Sequence, residues 1–264
     1  MAHLQGKTAV VLGAAGRDNM AQEIARRFAD EGARVVVAGR HEEELARFAS
    51  AIDGAYKVCD ITSKADLRAL VAYAKDWGGS LDIAVNATGW GLLKPFLETT
   101  EEEIDQMMAL QFKGPHLFFQ AVLEVMGPGG SIIQISSATA KIMLNDHAAY
   151  MGTKAGTDHV IRCIANEFGQ RGIRANSISP GLTDTPMTAG AKAVPGLYDA
   201  FVQAYPLGRI GTKADIAAAA VWLASDDCFM TGENLQVNGG LTLRRNPSSA
   251  EIAASVARAM SAGT

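Results

Sequence analysis

Short unbroken apolar runs alternate along this chain with stretches whose apolar positions recur every three or four residues. Thr8 to Leu12 (TAVVL) is continuous, rich in β-branched residues and bounded by Gly6 and Gly13, the pattern of a strand buried on both faces. Ala21, Ile24, Ala25, Phe28 and Ala29 follow at helical spacing with charges between them, and Gly32 ends that helix. Arg34 to Ala38 (RVVVA) is a second buried strand, His41 to Ser50 a helix, Tyr56 to Cys59 a short strand and Ser63 to Trp77 a helix. Further strands are expected at Leu81–Val85, Ser131–Ile135, Arg174–Ile178 and Asn234–Val237. Helices between them are expected at Glu101–Met126, Tyr150–Phe168 and Lys213–Ala224.

Seven strands alternating with helices imply right-handed β-α-β crossovers and one parallel sheet covered on both faces, an α/β domain. No repeat or linker composition marks a second domain, so residues 1–246 read as one unit with a tail from 247 to 264. Gly181 to Thr212 is long, irregular and rich in Gly, Pro and Thr, as functional loops in compact domains are. The tail carries a capping-box spacing, Ser248 to Glu251, before Ile252, Val256 and Met260, and reads either as a short amphipathic helix or as a frayed end.

Composition narrows the class. A net charge of -4 argues against a nucleic-acid or membrane-surface binder. The longest apolar stretch, Ile216 to Ala224, is too short to span a bilayer, and the first residues lack a signal-peptide pattern. Cys59, Cys163 and Cys228 cannot all pair and lack metal-like spacing, so no metal is expected and a cytoplasmic, reducing location is. The 27 glycines exceed the usual share and ask where backbone turns tightly or approaches a ligand.

Gly13-Ala14-Ala15-Gly16 lies between the first strand and its helix. Ligands of open parallel sheets bind beyond the carboxyl ends of the strands, and a helix N-terminus there attracts phosphate. Gly13 would allow the turn and Gly16 would admit a pyrophosphate; an ordinary strand-to-helix turn is the alternative. At the end of the second strand, where NAD sites place an acid on the ribose, stand Gly39 and Arg40. Arg40, joined by Arg17, suits a 2′-phosphate, so NADP(H) is expected over NAD(H), unless Arg40 is only a loop cation. Asp60 either bonds the adenine amino group or caps the next turn.

Tyr150 and Lys154 stand four residues apart on one helix face. A nearby ammonium favours the phenolate, which would make Tyr150 a usable general acid/base. Ser137 follows the strand Ser131–Ile135, thirteen residues before Tyr150, at the sheet edge where the glycine loop opens.

These residues, with Asn86-Ala87-Thr88-Gly89 and Pro180-Gly181, resemble the short-chain dehydrogenase/reductase family over Gln5 to Leu241, about nine tenths of the chain. The resemblance implies a Rossmann-type doubly wound sheet and an NAD(P)(H)-dependent oxidoreductase acting on a small carbonyl or alcohol. It implies that Ser137 bonds the substrate oxygen, that Tyr150 transfers the proton, and that Lys154 holds the nicotinamide ribose and tunes Tyr150. Asn86 would steady the sheet edge, and Pro180, Gly181, Thr183 and Thr185 would meet the carboxamide. Ala15, Met20, Ile61, Ala87 and Gly89 complete the implied cofactor contacts. Ser136 is the rival serine, disfavoured by strand parity and by the family's spacing. A homotetramer built on the two longest helices and the last strand is also implied.

The chain departs from the family pattern in three places. The glycine loop, AAGRDNMAQE after Gly13, lacks later glycines and is two residues longer than usual, as in the enoyl-acyl-carrier-protein reductase branch. The Tyr–Lys spacing keeps the ketone-reductase pattern. Gln111 replaces the family's relay asparagine and keeps its water, displaces it, or is a helix-surface residue without a role. Asn238 replaces a common aspartate before Gly239. Met187, Val194, Leu197, Tyr198, Phe201 and Tyr205 in the long segment, with Trp90, Leu92 and Leu93 opposite, would wall an apolar pocket for a medium-sized ketone or secondary alcohol, unless they only pack a lid or an interface. His147, three before Tyr150, reads either as a residue that touches polar groups of the substrate or as a loop histidine without a partner. The alternatives to carbonyl reduction are enoyl reduction and a nucleotide-binding scaffold or sensor.

Overall fold

A computed structural model describes residues 2–262. In chain order the elements are β1 (Thr8–Leu12), α1 (Met20–Asp30), β2 (Arg34–Gly39), α2 (Glu42–Ala51), β3 (Ala55–Val58), α3 (Lys64–Gly78) and β4 (Ile83–Asn86). Then come α4 (Glu101–Met108), α5 (Gly114–Val125), β5 (Ser131–Ile135), α6 (Ala148–Phe168) and β6 (Arg174–Pro180). The last part contains β7 (Thr183–Asp184), α7 (Ala189–Lys192), α8 (Leu197–Val202), β8 (Gly211–Thr212), α9 (Lys213–Ala224), β9 (Asn234–Val237) and α10 (Ser249–Ala262).

Seven strands form one parallel sheet in the order β3-β2-β1-β4-β5-β6-β9. The order reverses beside β1, so the connections after β1 and β4 diverge to opposite faces and leave a crevice at their carboxyl ends. Alternation along β1 builds both faces. Ala9 and Val11 join Ile24, Phe28 and Ala220 of α1 and α9, whereas Val10 and Leu12 join Leu67, Phe118 and Ile161 of α3, α5 and α6. Phe28 has no exposed surface; truncating such a side chain to alanine costs about 3–5 kcal/mol.

Three segments differ from the sequence-based expectation. The helix expected from Glu101 to Met126 contains a π-helical turn over Ala109–Lys113. Pro115 has no N–H to return to the Gln111 carbonyl one turn back, and the Thr157 hydroxyl donates to that oxygen instead, at 2.6 Å. The long segment after Gly181 is not structureless: β7 pairs with β8 in parallel, and α7 and α8 lie between them. The tail is helical. The Ser248 hydroxyl accepts from Glu251 N while the Glu251 carboxylate accepts from Ser248 N and Oγ, and the resulting α10 packs on α8. Ser255 seals that contact by donating to Gly196 O at 2.7 Å. Among the described residues, no helix is long and apolar enough to cross a membrane.

Candidate active site

The carboxyl ends of β1 to β6, with the start of α6, bring the expected residues to one edge of the sheet. Gly13 turns there with φ of 109°, a region that favours glycine, and a Cβ on it would stand 2.8 Å from the Ala87 carbonyl. The N–H groups of Gly13 and Ala14 both donate to Ala38 O, drawing Ala15 against Gly39. The rest of the loop is held by side chains rather than shaped by glycines. Asn19 caps α1 by accepting from Gln22 N, and its amide donates to Gly13 O at 2.7 Å. Gln22 donates to Ala14 O and to Glu44, and Lys213 donates to Asp18 O at 2.6 Å. Arg17 and Arg40 are exposed and Met20 half-buried at the start of α1. Glu44, hydrogen-bonded by Arg47 and Gln22, has its carboxyl pulled down to about 2.

Asp60 serves its own turn: one carboxylate oxygen accepts from Thr62 N at 2.9 Å and Thr62 Oγ1 at 2.8 Å. Those bonds, with the positive charge of Arg40 nearby, hold it below the usual carboxylate range. Ile61 beside it is buried. Asn86, fully buried, donates to Gln134 Oε1 at 2.9 Å and accepts from Thr88 N and Oγ1, tying β4 to β5 and shaping the loop that carries Ala87 and Gly89. Pro180 ends β6. Thr183 is buried, its hydroxyl donating to Gly181 O, and the Thr185 N–H donates to the Thr188 hydroxyl.

Ser136 and Ser137 face opposite ways. Ser136 Oγ donates to Asp158 Oδ2 at 2.8 Å inside the protein. Ser137 Oγ lies 2.8 Å from Thr139 Oγ1 and accepts from Thr139 N, on the side of Tyr150. Lys154 is buried and donates to Ile135 O at 2.9 Å, with its ammonium 5.5 Å from the Tyr150 ring centroid. Burial lowers the lysine to about 8, opposed by the charge of Asp158. Tyr150 moves the other way from the sequence-based expectation. In the protein alone, burial pushes the phenol up, with Ser137 pulling it down, and the buried lysine makes no bond to it.

Gln111 is buried rather than on a helix surface. Its Oε1 accepts from Trp90 N at 3.2 Å, and its Nε2 donates to Thr153 Oγ1 at 3.2 Å and to Met107 Sδ at 2.6 Å. The longer amide therefore clamps the loop after β4 to α6. Of the apolar side chains expected to wall a pocket, Phe201 and Tyr205 instead pack with Ala138 and Leu241. Gly91 and Met187 bring the two walls together, the Met187 sulfur lying 3.9 Å from where a Gly91 Cβ would stand. Asn238 is buried and donates to Gln236 and Thr242.

Two residues carry more than their sequence context indicated. His147 is a buried residue at the N-terminus of α6, bonded through Nδ1 to Leu92 O at 2.6 Å and stacked on Tyr150. Its position three before Tyr150, nearly one helical turn, was the available signal. Asp158, four after Lys154, is buried, accepts from Ser136 and Asn234, and leaves Oδ1 unpartnered. An acid on the inward face of a helix was the clue there.

Comparison with known proteins agrees with this fold. The family model described as "Enoyl-(Acyl carrier protein) reductase" matches residues 13–242. A D-threitol dehydrogenase of Mycolicibacterium smegmatis is 35% identical over 250 residues, covering 91% of this chain and 95% of that protein. The 3beta-hydroxysteroid dehydrogenase 1 of Eggerthella lenta is 36% identical over 251 residues, with the same coverage of 91% and 95%. A short-chain type dehydrogenase/reductase from Mycobacterium ulcerans superposes with a TM-score of 0.89 at 30% identity, covering 93% of each chain. A doubly wound sheet with a crevice at this switch point suits a dinucleotide, and the relatives carrying it are dehydrogenases. The chain belongs to the short-chain dehydrogenase/reductase family and is an NAD(P)(H)-dependent enzyme.

Proposed function

We propose that the protein moves hydride between NADP(H) and a ketone or secondary alcohol of medium size, with Tyr150 as general acid/base. The observation that carries this reading is the convergence of Ser137, Tyr150 and Lys154, from β5 and α6, on the crevice edge that Gly13 opens. Ser137 holds the substrate oxygen, and Tyr150 gives or takes its proton. Lys154, fixed by Ile135 O, supplies positive charge under the ring and, beside Gly89, reaches toward the ribose.

The residues present fit a dinucleotide. Gly13 lets the turn at the mouth of the crevice pack closely on the Ala87 main chain, and Gly89 lies against both Gln111 and Lys154. Gly13, Ala15, Gly16, Arg17 and Met20 would hold the pyrophosphate side, and Arg40 would hold a 2′-phosphate. Asp60, Ile61, Asn86 and Ala87 would flank the adenosine, with Pro180, Gly181, Thr183 and Thr185 at the nicotinamide. When bound, the cofactor supplies or accepts the hydride. Gly39 followed by the exposed Arg40, with no acid at that strand end, favours the phosphorylated form.

Hydroxyl compounds in the names of relatives, a threitol and a 3β-hydroxysteroid, support carbonyl/alcohol chemistry over enoyl reduction, as does the four-residue step from Tyr150 to Lys154. Replacing Tyr150 with Phe keeps the ring and removes the proton, and kcat is expected to fall by roughly 10²–10⁴-fold on any ketone that turns over. Near-normal turnover would overturn the role of Tyr150. Oxidation of NADPH by an enone, with ketones untouched, would shift the reading to enoyl reduction. Tight cofactor binding without turnover on either panel would make the protein a scaffold.

A homotetramer fits two open surfaces: the half-buried edge strand β9 and an apolar groove of about 420 Å³ between α4 and α6, lined by Phe96, Ile104, Met107 and Met108. Light scattering tests it, and a monomer would exclude it.

A further inference from the structure

The imidazole of His147 is held on three sides. Its Nδ1 lies 2.6 Å from Leu92 O, and because a carbonyl only accepts, Nδ1 carries the proton. The ring lies nearly flat on Tyr150, centroids 4.2 Å apart and planes 23° apart. Behind it the main chain is clamped as well: Lys94 N donates to Asp146 O at 2.6 Å, and Asp146 adopts the left-handed φ of 59° just before the histidine. Burial keeps the ring's pKa below its ordinary value, so near neutrality the ring is uncharged. With the proton on Nδ1, Nε2 is a bare acceptor.

That acceptor has no hydrogen-bond partner among the described residues. Nor is it sealed in the interior: the buried side-chain atoms left without partners are Asp158 Oδ1, Ser177 Oγ and Asn238 Oδ1. Nε2 therefore keeps solvent-accessible surface, on the edge of a ring that is bonded to Leu92 O through its other nitrogen and stacked on Tyr150. A fixed, neutral nitrogen acceptor matches one substrate feature, a hydroxyl that can donate.

We propose that His147 Nε2 accepts a hydrogen bond from a second hydroxyl of the substrate, on the carbon next to the one that exchanges hydride. The preferred substrates are then vicinal diols and the matching α-hydroxy ketones rather than plain alcohols and ketones. This rests on the hydride-transfer reading above and names the substrate class for the same site. A plain alcohol would leave the acceptor facing a methyl group, and a site built to bond a hydroxyl discriminates against analogues lacking one.

The test compares kcat/KM for butane-2,3-diol, its monomethyl ether and butan-2-ol with the wild-type protein and two variants. His147→Phe keeps a flat ring on Tyr150 and removes both nitrogens, and His147→Gln retains a donor and an acceptor. The wild type should favour the diol over butan-2-ol by about tenfold or more, and the ether should behave like butan-2-ol because it has lost the donor. In His147→Phe the diol preference should collapse to about unity whatever happens to the common rate, and His147→Gln should restore part of it. A wild-type ratio near one, a preferred ether or a preference surviving in His147→Phe would overturn the proposal while leaving hydride transfer intact. Turnover of none of the three with either cofactor, in either direction, would overturn both readings together.

Discussion

Lys154 donates a hydrogen bond to the main-chain oxygen of Ile135, 2.9 Å away, and so docks the start of α6 on the end of β5. Strand and helix thereby share one fixed ammonium, and Ser137, two residues beyond that oxygen, is placed relative to Tyr150 by the same bond.

The ammonium sits where its charge is easily lost. Burial brings Lys154 down to about 8, and the neighbouring carboxylate of Asp158 resists that fall. A lysine with a lowered pKa is neutral above it, so kcat/KM should decline as pH rises through about 8. Asp158→Asn removes the charge that raises Lys154, and the alkaline limb should therefore move to lower pH. A pH profile of kcat/KM checks this, and a limb that stays or moves upward contradicts it.

The two serines should separate stability from activity. Ser137→Ala removes a donor from the proposed oxyanion position and should lower kcat by roughly 10²-fold or more with little change in melting temperature. Ser136→Ala takes a donor from the buried Asp158 and should cost about 1–3 kcal/mol of stability, read by denaturant unfolding. The reverse pattern would mean that the serines had been assigned to the wrong faces.

Glycine positions with positive φ should differ in consequence. Gly13→Ala forces a Cβ to 2.8 Å from the Ala87 carbonyl, so the loop must shift and NADPH affinity should fall about tenfold or more. Gly79 also has positive φ, at the end of α3, but nothing crowds it. Gly79→Ala should cost about 1 kcal/mol in stability and leave cofactor titration unchanged.

Cofactor choice is expected to follow Arg40. Arg40→Ser removes the guanidinium without adding a carboxylate beside Asp60, and the ratio of kcat/KM for NADPH over NADH should drop by about tenfold. Arg17→Ser should act in the same direction more weakly. An unchanged ratio in both variants would place the discrimination elsewhere.

Much of this molecule was legible in its sequence because buried parallel strands are written as continuous apolar runs. Thr8–Leu12 and Ser131–Ile135, both wholly buried, have the bounds that their patterns indicate. The π-turn at Ala109–Lys113 was hidden inside the single helix read from Glu101 to Met126, and the Gln111 carbonyl depends on Thr157, forty-two residues after Pro115. Asp158 was missed, and His147 left undecided, for a related reason. A polar residue's worth depends on who meets it, and Leu92, Ser136 and Asn234 arrive from other parts of the chain.

The grip of Asp158 on Ser136 and Asn234 has a meaning for folding. It joins the end of β5 to the start of β9 across β6, where Ile135 pairs with Ile178 and Ser177 with Asn234. Since adjacent residues of a strand face opposite sides, a slip of one position at the end of β5 would exchange the two serines. Ser137 would meet the carboxylate and Ser136 the cleft. The buried acid thus acts as a reading-frame check on the sheet: the chain is sealed in the correct phase only when the other serine is the one left facing Tyr150.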